Sequence, residues 1–348
     1  MFSSAYENGG HRIFNENEIG LTGAGDSAIG IPFISRDPPE HTQYRKHIMP
    51  AVSPHRLGDI EKRIRLRVEA LVDSIPLGEP INLVPLLSAP LPLLTLCELL
   101  GVEQELWTKL YDWTNAFVGE DDPDFRQSPE AMAMTLQDFF GFASDLFTAR
   151  RSQPGGDIAS MLANMEIGGK AVSLPEFIGN LILVLVGANE TTRNSLSHTV
   201  AAFSDHPGQW QALRADRTLF KTAVPEMVRW ASPVLHMRRT ATEDTEIAGQ
   251  AIRKGDKVVM WYASGNRDET VFTAADKFDI NRSHNPHVGF GFGQHVCVGS
   301  RLAEMQLRIA FETLADRVGH FEVTGRPRRF RSNFLNGLKN LDVVLHPC

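Results

Sequence analysis

The sequence has few cysteines and no long apolar stretch, and each of these scarcities excludes a class of protein. Only three cysteines occur in 348 residues, at positions 97, 297 and 348, so no CxxC pair exists. A zinc site built on paired cysteines is therefore excluded, and a disulfide framework is not expected. The longest apolar stretch near the middle of the chain, residues 181–186, is far too short to span a bilayer.

Charge of one sign is not in large excess either. The formal net charge is −7, and the one dense basic run, residues 326–331, is short and isolated. This balance argues against a nucleic-acid partner. The opening MFSSAYENGGHR has no apolar core, so we expect neither a signal peptide nor a membrane anchor. With so few cysteines, we expect a soluble protein of the reducing cytoplasm.

The hydrophobic pattern predicts a mainly α-helical fold with small β-sheets, in one domain over residues 1–348. Ser173 followed by Glu176 forms a capping box, which predicts the start of a long central helix that runs to about Ser204. Residues 1–36 are predicted to be irregular, and the glycine pair at 168–169 to end a helix. Further helices are predicted from the apolar spacing over residues 60–75, 131–151, 208–217 and 219–230, and short strands over 245–247, 257–260, 321–323 and 343–345.

The most informative segment reads FGFGQHVCVG at residues 290–299. Glycine-rich turns let a backbone approach a flat ligand closely. A cysteine just before a helix, such as Cys297, is expected to have a lowered pKa, which suits axial ligation of a haem iron. Two alternatives are an inert buried cysteine, as we expect for Cys97, and a nucleophile with His295 as its base. A separation of two residues on a tight loop is poor geometry for such a base.

Two further patterns carry chemistry. Residues 187–192, GANETT, place polar groups directly after the apolar part of the central helix. These groups either face a polar cavity or mark the point where the helix surfaces, and Thr191 can bond back to the carbonyl of Gly187. Glu226 and Arg229 share one face of another helix, where a buried pair needs a network; Arg238, Arg239 or Arg282 could complete it.

Together these patterns resemble the cytochrome P450 family, from about residue 31 to the C-terminus. The loop 290–299 matches the family's haem-thiolate loop, GANETT its oxygen-activating stretch, and Glu226-x-x-Arg229 with Arg282 its structural Glu-Arg-Arg triad. The resemblance implies the P450 fold, in which a long central helix lies over the haem and the cysteine loop lies on the proximal side. It also implies haem b (iron protoporphyrin IX), with Cys297 as the metal ligand, and O2 as co-substrate.

The resemblance assigns further roles by position. Glu190 and Thr191 would deliver protons to dioxygen, Ala188 and Gly187 would leave room over the haem, and Phe290 would tune the thiolate. Basic side chains would bind the two haem propionates. The implied cofactor-binding residues are His41, Arg45, Ala188, Arg239, Phe290, Gly291, His295, Cys297 and Gly299.

The implied activity is insertion of one oxygen atom from O2 into a C–H bond of a hydrophobic substrate: an alkane, fatty acid, terpenoid or sterol side chain. The pocket would be formed by residues 13–34, Leu183, Val234, Leu235 and Phe334. Electrons would come from a ferredoxin and an NAD(P)H-dependent reductase, with docking near Arg301 and Arg308. The alternatives are a haem-thiolate peroxygenase, isomerase or dehydratase, and a non-catalytic haem-binding remnant.

Three departures from the family pattern lead to expectations of their own. The chain begins where family members have already formed a first helix and two strands, so we expect lower stability and a more open substrate entrance. Gly187-Ala188 replaces the commoner Ala-Gly or Gly-Gly, a small change that should preserve activity. Pro225 removes a backbone donor inside the predicted triad helix, so that helix should bend or begin there.

Overall fold

The structure, a computed structural model, describes residues 1–13 and 29–348. The parts of the predicted irregular segment 1–36 and of the predicted pocket segment 13–34 that fall on residues 14–28 lie outside this description. The helices are α1 (Glu40–Ile48), α2 (Pro54–Asp73), α3 (Pro90–Leu100), α4 (Trp107–Val118), α5 (Pro129–Ser152), α6 (Ile158–Asn164), α7 (Leu174–Asp205), α8 (Pro207–Ala215), α9 (Phe220–Ala231), α10 (Tyr262–Gly265) and α11 (Ser300–Arg317).

The strands form small antiparallel sheets at the edges of this helical body. Two sheets have three strands, in the orders β1-β5-β8 and β2-β12-β9, and the pairs β3-β4, β6-β7 and β10-β11 are two-stranded. The strands are β1 (Phe2–Ser3), β2 (Pro80–Asn82), β3 (Glu166–Ile167), β4 (Lys170–Ala171), β5 (His236–Ala241), β6 (Thr245–Ile247), β7 (Gln250–Ile252), β8 (Lys257–Trp261), β9 (Val318–Val323), β10 (Arg328–Arg329), β11 (Leu338–Asn340) and β12 (Asp342–Pro347).

The 32-residue helix α7 is the centre of the fold, as predicted. Its start is fixed by the predicted capping box: the Ser173 hydroxyl accepts from the backbone N–H of Glu176, and the Glu176 carboxylate accepts from the Ser173 N–H. Helices α3, α4, α9 and α11 pack around it, and β9 packs against it. Among the described residues, no helix combines the length and apolarity needed to cross a bilayer.

Two predictions about local structure were wrong, as was one of the two alternatives for Pro225. Residues 2–3 form a strand that pairs with β5. The sequence did not predict this strand, because backbone pairing needs no distinctive side chains. Gly168 and Gly169 form the tight turn between β3 and β4, with φ angles of 59° and 75°, and α6 has already ended at Asn164. Pro225 lies inside α9, which begins five residues earlier at Phe220, so the helix does not begin at the proline.

Candidate active site

The loop that carries Cys297 is shaped by two glycines in the left-handed region. Gly291 has φ 72° and Gly293 has φ 73°, values that other residues rarely adopt. A Cβ atom on Gly291 would also lie 3.2 Å from the Tyr262 hydroxyl. The Cys297 N–H donates to the Phe290 carbonyl at 2.8 Å and closes the loop, three residues before α11 begins. The sequence therefore fixes the position of the sulfur through backbone geometry.

The electrostatics of Cys297 differ from the sequence prediction. Its side chain is reached by solvent, yet neighbouring atoms surround it closely enough that burial raises the pKa of the thiol. The Gly299 N–H and the charge of Arg45 act in the opposite direction and do not outweigh burial. The helix terminus alone therefore does not lower the pKa of this thiol. Cys97 is fully buried with a pKa raised to about 12, as expected of an inert core thiol.

A group of basic side chains lies close to this loop. The His41 ring stacks on the His295 ring with 3.8 Å between centroids, and His295 Nε2 lies 3.0 Å from the Ser4 hydroxyl. Burial is the main cause that lowers the pKa of His41 to about 4 and that of His295 to about 3. The positive charges of Arg45 and Arg239 lower both values further. The Asp37 carboxylate opposes them, so two arginine charges face one carboxylate at the histidine pair.

The same group fits an anionic ligand such as the propionates of a haem. Within the described residues, both ring nitrogens of the buried His41 lack a hydrogen-bond partner. The nearby carboxylate of Asp37 accepts hydrogen bonds from Ser3 and Ser4. Carboxylates of a bound ligand would give His41 the acceptor it lacks and would offset the positive charge.

The two predicted arginine contacts are directed at the backbone in this structure. Arg45 Nη1 donates to the Val296 carbonyl at 2.6 Å, and Arg239 Nη1 donates to the Arg238 carbonyl at 2.7 Å. Val296 directly precedes Cys297, so Arg45 lies beside the cysteine loop. Both guanidinium groups are near the histidine pair, since their charges act on the pKa of His295.

The GANETT stretch has one accessible side and one buried side, although it lies in the middle of the central helix α7. Gly187 is exposed in the middle of the helix, and Leu183 and Thr191, one turn away on either side, are half-buried. The Thr191 hydroxyl donates to the Gly187 carbonyl at 2.8 Å, which confirms the predicted back-bond. Of the polar residues in this stretch, Thr191 is on the accessible side of the helix, whereas Asn189, Glu190 and Thr192 are buried, so the stretch does not mark an exit of the helix from the core.

Glu190 lies on the buried side of the same turn, in a network that links α7 to α4. Its Oε1 accepts from Asn189 Nδ2 at 3.0 Å, and Asn189 Nδ2 also lies 2.9 Å from the Thr114 hydroxyl. Its Oε2 lies 2.9 Å from Arg193 Nη2, and Arg193 Nη1 donates to Asn115 at 3.2 Å. Burial raises the pKa of Glu190 although Arg193 opposes this. Arg193 was not predicted as a functional residue, although its i,i+3 spacing from Glu190 was a signal available in the sequence.

The Glu-Arg-Arg triad has formed as predicted. Both nitrogens Nε and Nη2 of Arg229 donate to the Glu226 carboxylate at 2.7 Å, and Arg282 Nε donates to it at 3.1 Å. The Asp279 N–H and the Asn285 amide add two more donors. Of the three arginines that the sequence offered, Arg282 is therefore the one that completes the network.

Two of the predicted substrate-pocket segments, those of Leu235 and Phe334, come together. Val234 pairs with Leu335 in an isolated β-bridge, and the Leu235 N–H donates to the Phe334 carbonyl at 2.8 Å. The Phe334 ring packs against His236 at 5.6 Å. Val234, Leu235 and Phe334 are all half-buried, as is Leu183 on α7, so each offers apolar surface that is not used by the core.

Comparison with known proteins identifies the family and the fold. The cytochrome P450 family model matches residues 102–338, which is more than half of the chain. The chain belongs to the cytochrome P450 family. It is 70% identical over 347 residues to a linalool 8-monooxygenase of Pseudomonas putida, a match that covers 100% of this chain and 86% of that protein. It is 40% identical to a steroid C26-monooxygenase of Rhodococcus jostii, covering 89% and 65% of the two chains.

Solved structures give the same result. A cytochrome P450 of Mycobacterium marinum in complex with pseudoionone superimposes with a TM-score of 0.89 at 33% identity, covering 99% of this chain and 82% of that one. A P450 from Novosphingobium aromaticivorans gives 0.84 at 35% identity, covering 99% and 85%. The predicted fold is thereby confirmed, and the protein is a P450 monooxygenase that acts on a hydrophobic substrate. Bound haem supplies the activation of dioxygen in this family.

Proposed function

We propose that this P450 oxidises the end of a branched aliphatic chain, with an acyclic terpenoid alcohol of the linalool type as its substrate. The observation that carries the proposal is the 70% identity to a linalool 8-monooxygenase along the whole chain. More distant relatives are named for C26 of steroids and for the omega carbon of methyl-branched lipids. Their names share one theme, which is oxidation at the end of a branched chain.

The apolar side chains at the candidate pocket support a substrate of this kind. Val234, Leu235 and Phe334 come from two segments joined by backbone hydrogen bonds, and their apolar surface would line the pocket. Leu183 would contribute from α7. Apolar walls with few polar groups bind hydrophobic ligands and leave regiochemistry to shape. A chain end with two methyl branches would make more apolar contact with these side chains than a straight chain end would.

We further propose the assignment of haem b, with Cys297 as the iron ligand. His41 and Arg45 would hold one propionate, and Arg239 and His295 the other. The unpartnered ring nitrogens of the buried His41 are the observation that favours this assignment. The backbone of Gly291 and Gly299, the ring of Phe290 and the small Ala188 would lie against the macrocycle.

Proton delivery is proposed for Thr191 and Glu190. The Thr191 hydroxyl lies on the accessible side of α7, where it can donate and accept a proton at Oγ1. Because burial raises its pKa, the Glu190 carboxyl would take up a proton more readily than an exposed one and would pass it on after a rotation of its side chain. Water is kept from the carboxyl by its burial between α7 and α4.

Electrons are proposed to come from a ferredoxin and its NAD(P)H-dependent reductase in the cytoplasm. The exposed side chains of Lys46 and Arg301 line a cavity together with Gln294 of the cysteine loop, and Phe292 of the same loop is 90% exposed. Charge complementarity with an acidic ferredoxin would steer docking there, with the phenylalanine at the contact. Arg308 contributes less than predicted, because it is paired with Glu61 and Glu312.

Reconstitution tests the proposed substrate. Haem-loaded protein, a surrogate ferredoxin, reductase and NADH are combined with linalool under 18O2, and products are identified by gas chromatography and mass spectrometry. We expect one labelled hydroxyl at the chain end, and weaker turnover of a steroid side chain and a methyl-branched fatty acid. Faster turnover of either comparison substrate, or no linalool product, would overturn the assignment.

A further inference from the structure

We propose that His320, Glu322 and His346 form a binding site for a divalent transition-metal ion, with Zn2+ as the ion their chemistry favours. The three residues lie on the sheet formed by β9 and β12, outside the haem site. His320 is paired directly with His346 in the antiparallel register, and Glu322 lies two residues further along β9. Side chains two apart on a strand point to the same face, so all three project from one face of the sheet.

The geometry already brings the ligand atoms together. The two imidazole rings stack with centroids 3.9 Å apart and an interplanar angle of 6°. His346 Nε2 lies 2.8 Å from Glu322 Oε2, and one ligand atom from each residue lies within 4.8 Å of the other two. Ligand atoms around a tetrahedral Zn2+ are about 3.4 Å apart, given bond lengths of about 2.1 Å. Small rotations of the side chains would therefore complete the coordination.

The strands that present these ligands are held rigidly from the other side. Phe321 and Leu345 are buried in the core beneath them, and β12 is the central strand between β2 and β9. The side chains of His320 and Glu322 are exposed, and that of His346 is about one-third exposed. A fixed backbone with free side chains lowers the cost of ordering a metal site, because only side-chain rotation has to be restricted.

The ligand set determines the class of ion. Two imidazoles and one carboxylate suit Zn2+, Ni2+ or Cu2+, whereas Mg2+ and Ca2+ prefer all-oxygen sites. Three protein ligands leave one tetrahedral position for water or an external donor. Because β12 runs to Pro347, the bound ion would fasten the last strand of the described chain to β9. We expect an effect on stability rather than on the oxidation chemistry.

Calorimetry tests the site. Haem-loaded protein freed of metals by a chelator is titrated with zinc chloride, and we expect one saturable site per chain. His320→Gln and His346→Gln should each weaken binding by about 10- to 100-fold. His55→Gln is the matched control, because it removes an exposed imidazole 3.5 Å from the Asp59 carboxylate that belongs to no three-residue cluster of metal-ligating side chains among the described residues. Its Zn2+ affinity should equal that of the wild type.

Thermal unfolding provides the second readout. Zn2+ should raise the melting temperature of the wild type and of His55→Gln but not of the His320→Gln, His346→Gln double variant. The carbon monoxide spectrum of each variant verifies that the haem site is intact. The proposal is overturned if Zn2+ does not saturate a site at millimolar concentration, or if the double variant binds it as tightly as the wild type.

Discussion

Glu190 Oε2 lies 2.9 Å from Arg193 Nη2 on α7, and at most 1% of either side chain is exposed. The pair begins one residue before Thr191, so a buried charge network adjoins the hydroxyl proposed to handle protons. Burial raises the pKa of Glu190, and the Arg193 charge is the main opposing influence. Arg193 thus sets how readily this carboxyl holds a proton, and we regard it as a positioning residue.

Arg193→Gln should raise the pKa of Glu190 further, because the positive charge that favours the carboxylate is removed. The amount of product formed per NADH declines as the pH rises, and this decline should therefore occur at a higher pH in Arg193→Gln. Arg193→Lys should partly restore the original profile. Asn115→Ala is the matched control, since it removes a hydrogen-bond partner of Arg193 but keeps the charge. A pH profile of coupling measured on all four proteins decides the point. Identical profiles for wild type and Arg193→Gln would show that Arg193 has a structural role only.

Thr191→Ala should separate electron consumption from product formation. NADH oxidation should continue, while product per NADH falls about tenfold or more and hydrogen peroxide rises, because the proposed proton donor at Oγ1 is lost. Ser195→Ala is the control, as the Ser195 hydroxyl makes the same kind of back-bond one turn later, to the Thr191 carbonyl at 2.8 Å. Product and peroxide are quantified together. An unchanged ratio in Thr191→Ala would exclude the proposed role.

Glu226→Gln should strongly destabilise the protein. Glu226 neutralises Arg229, which is fully buried, and accepts five hydrogen bonds in total. Breaking such a pair leaves an uncompensated buried charge, which lowers the free energy of unfolding by about 3–5 kcal/mol. Asp316→Asn, which breaks an exposed pair with Arg217, should lower stability by less than about 1 kcal/mol. Denaturant unfolding and haem content measure both variants, and equal effects would contradict a stabilising role for the triad.

The sequence was informative where local pattern determines structure. The capping box at Ser173 located α7, and the glycines around Cys297 located the loop, because both depend on neighbours along the chain. It was uninformative where distant segments meet. Charge and spacing alone did not distinguish Arg282 from Arg238 and Arg239 as the third member of the triad, since Arg282 reaches Glu226 from 56 residues away, and only the family resemblance singled it out.

Two other results depend on packing that the sequence does not encode locally. The pKa of Cys297 was predicted to be lowered from the helix terminus alone, and the surrounding atoms reverse the direction. His320 and His346 become neighbours only through the register of β9 and β12. In both cases the decisive quantity, desolvation or strand pairing, is set by residues far away in the sequence.

His198 should make the stability of the protein sensitive to acid. Burial lowers its pKa to about 4 from the 6.5 of an unfolded chain, and Nε2 lies 3.0 Å from the Asn336 carbonyl. Between these pH values the unfolded state binds a proton that the folded state does not. The stability that the neutral imidazole contributes is therefore complete above pH 6.5 and is lost as the pH falls toward 4. His198→Gln keeps an N–H donor but does not titrate. As the pH falls, the free energy of unfolding of this variant should therefore decrease less steeply than that of the wild type, by up to about 1.4 kcal/mol per pH unit near pH 5.

Urea unfolding of haem-loaded protein at pH 7, 6 and 5 measures the two slopes. His55→Gln, a replacement at a 91% exposed side chain, is the control and should match the wild type. Equal slopes for wild type and His198→Gln would mean that the imidazole accepts its proton without unfolding.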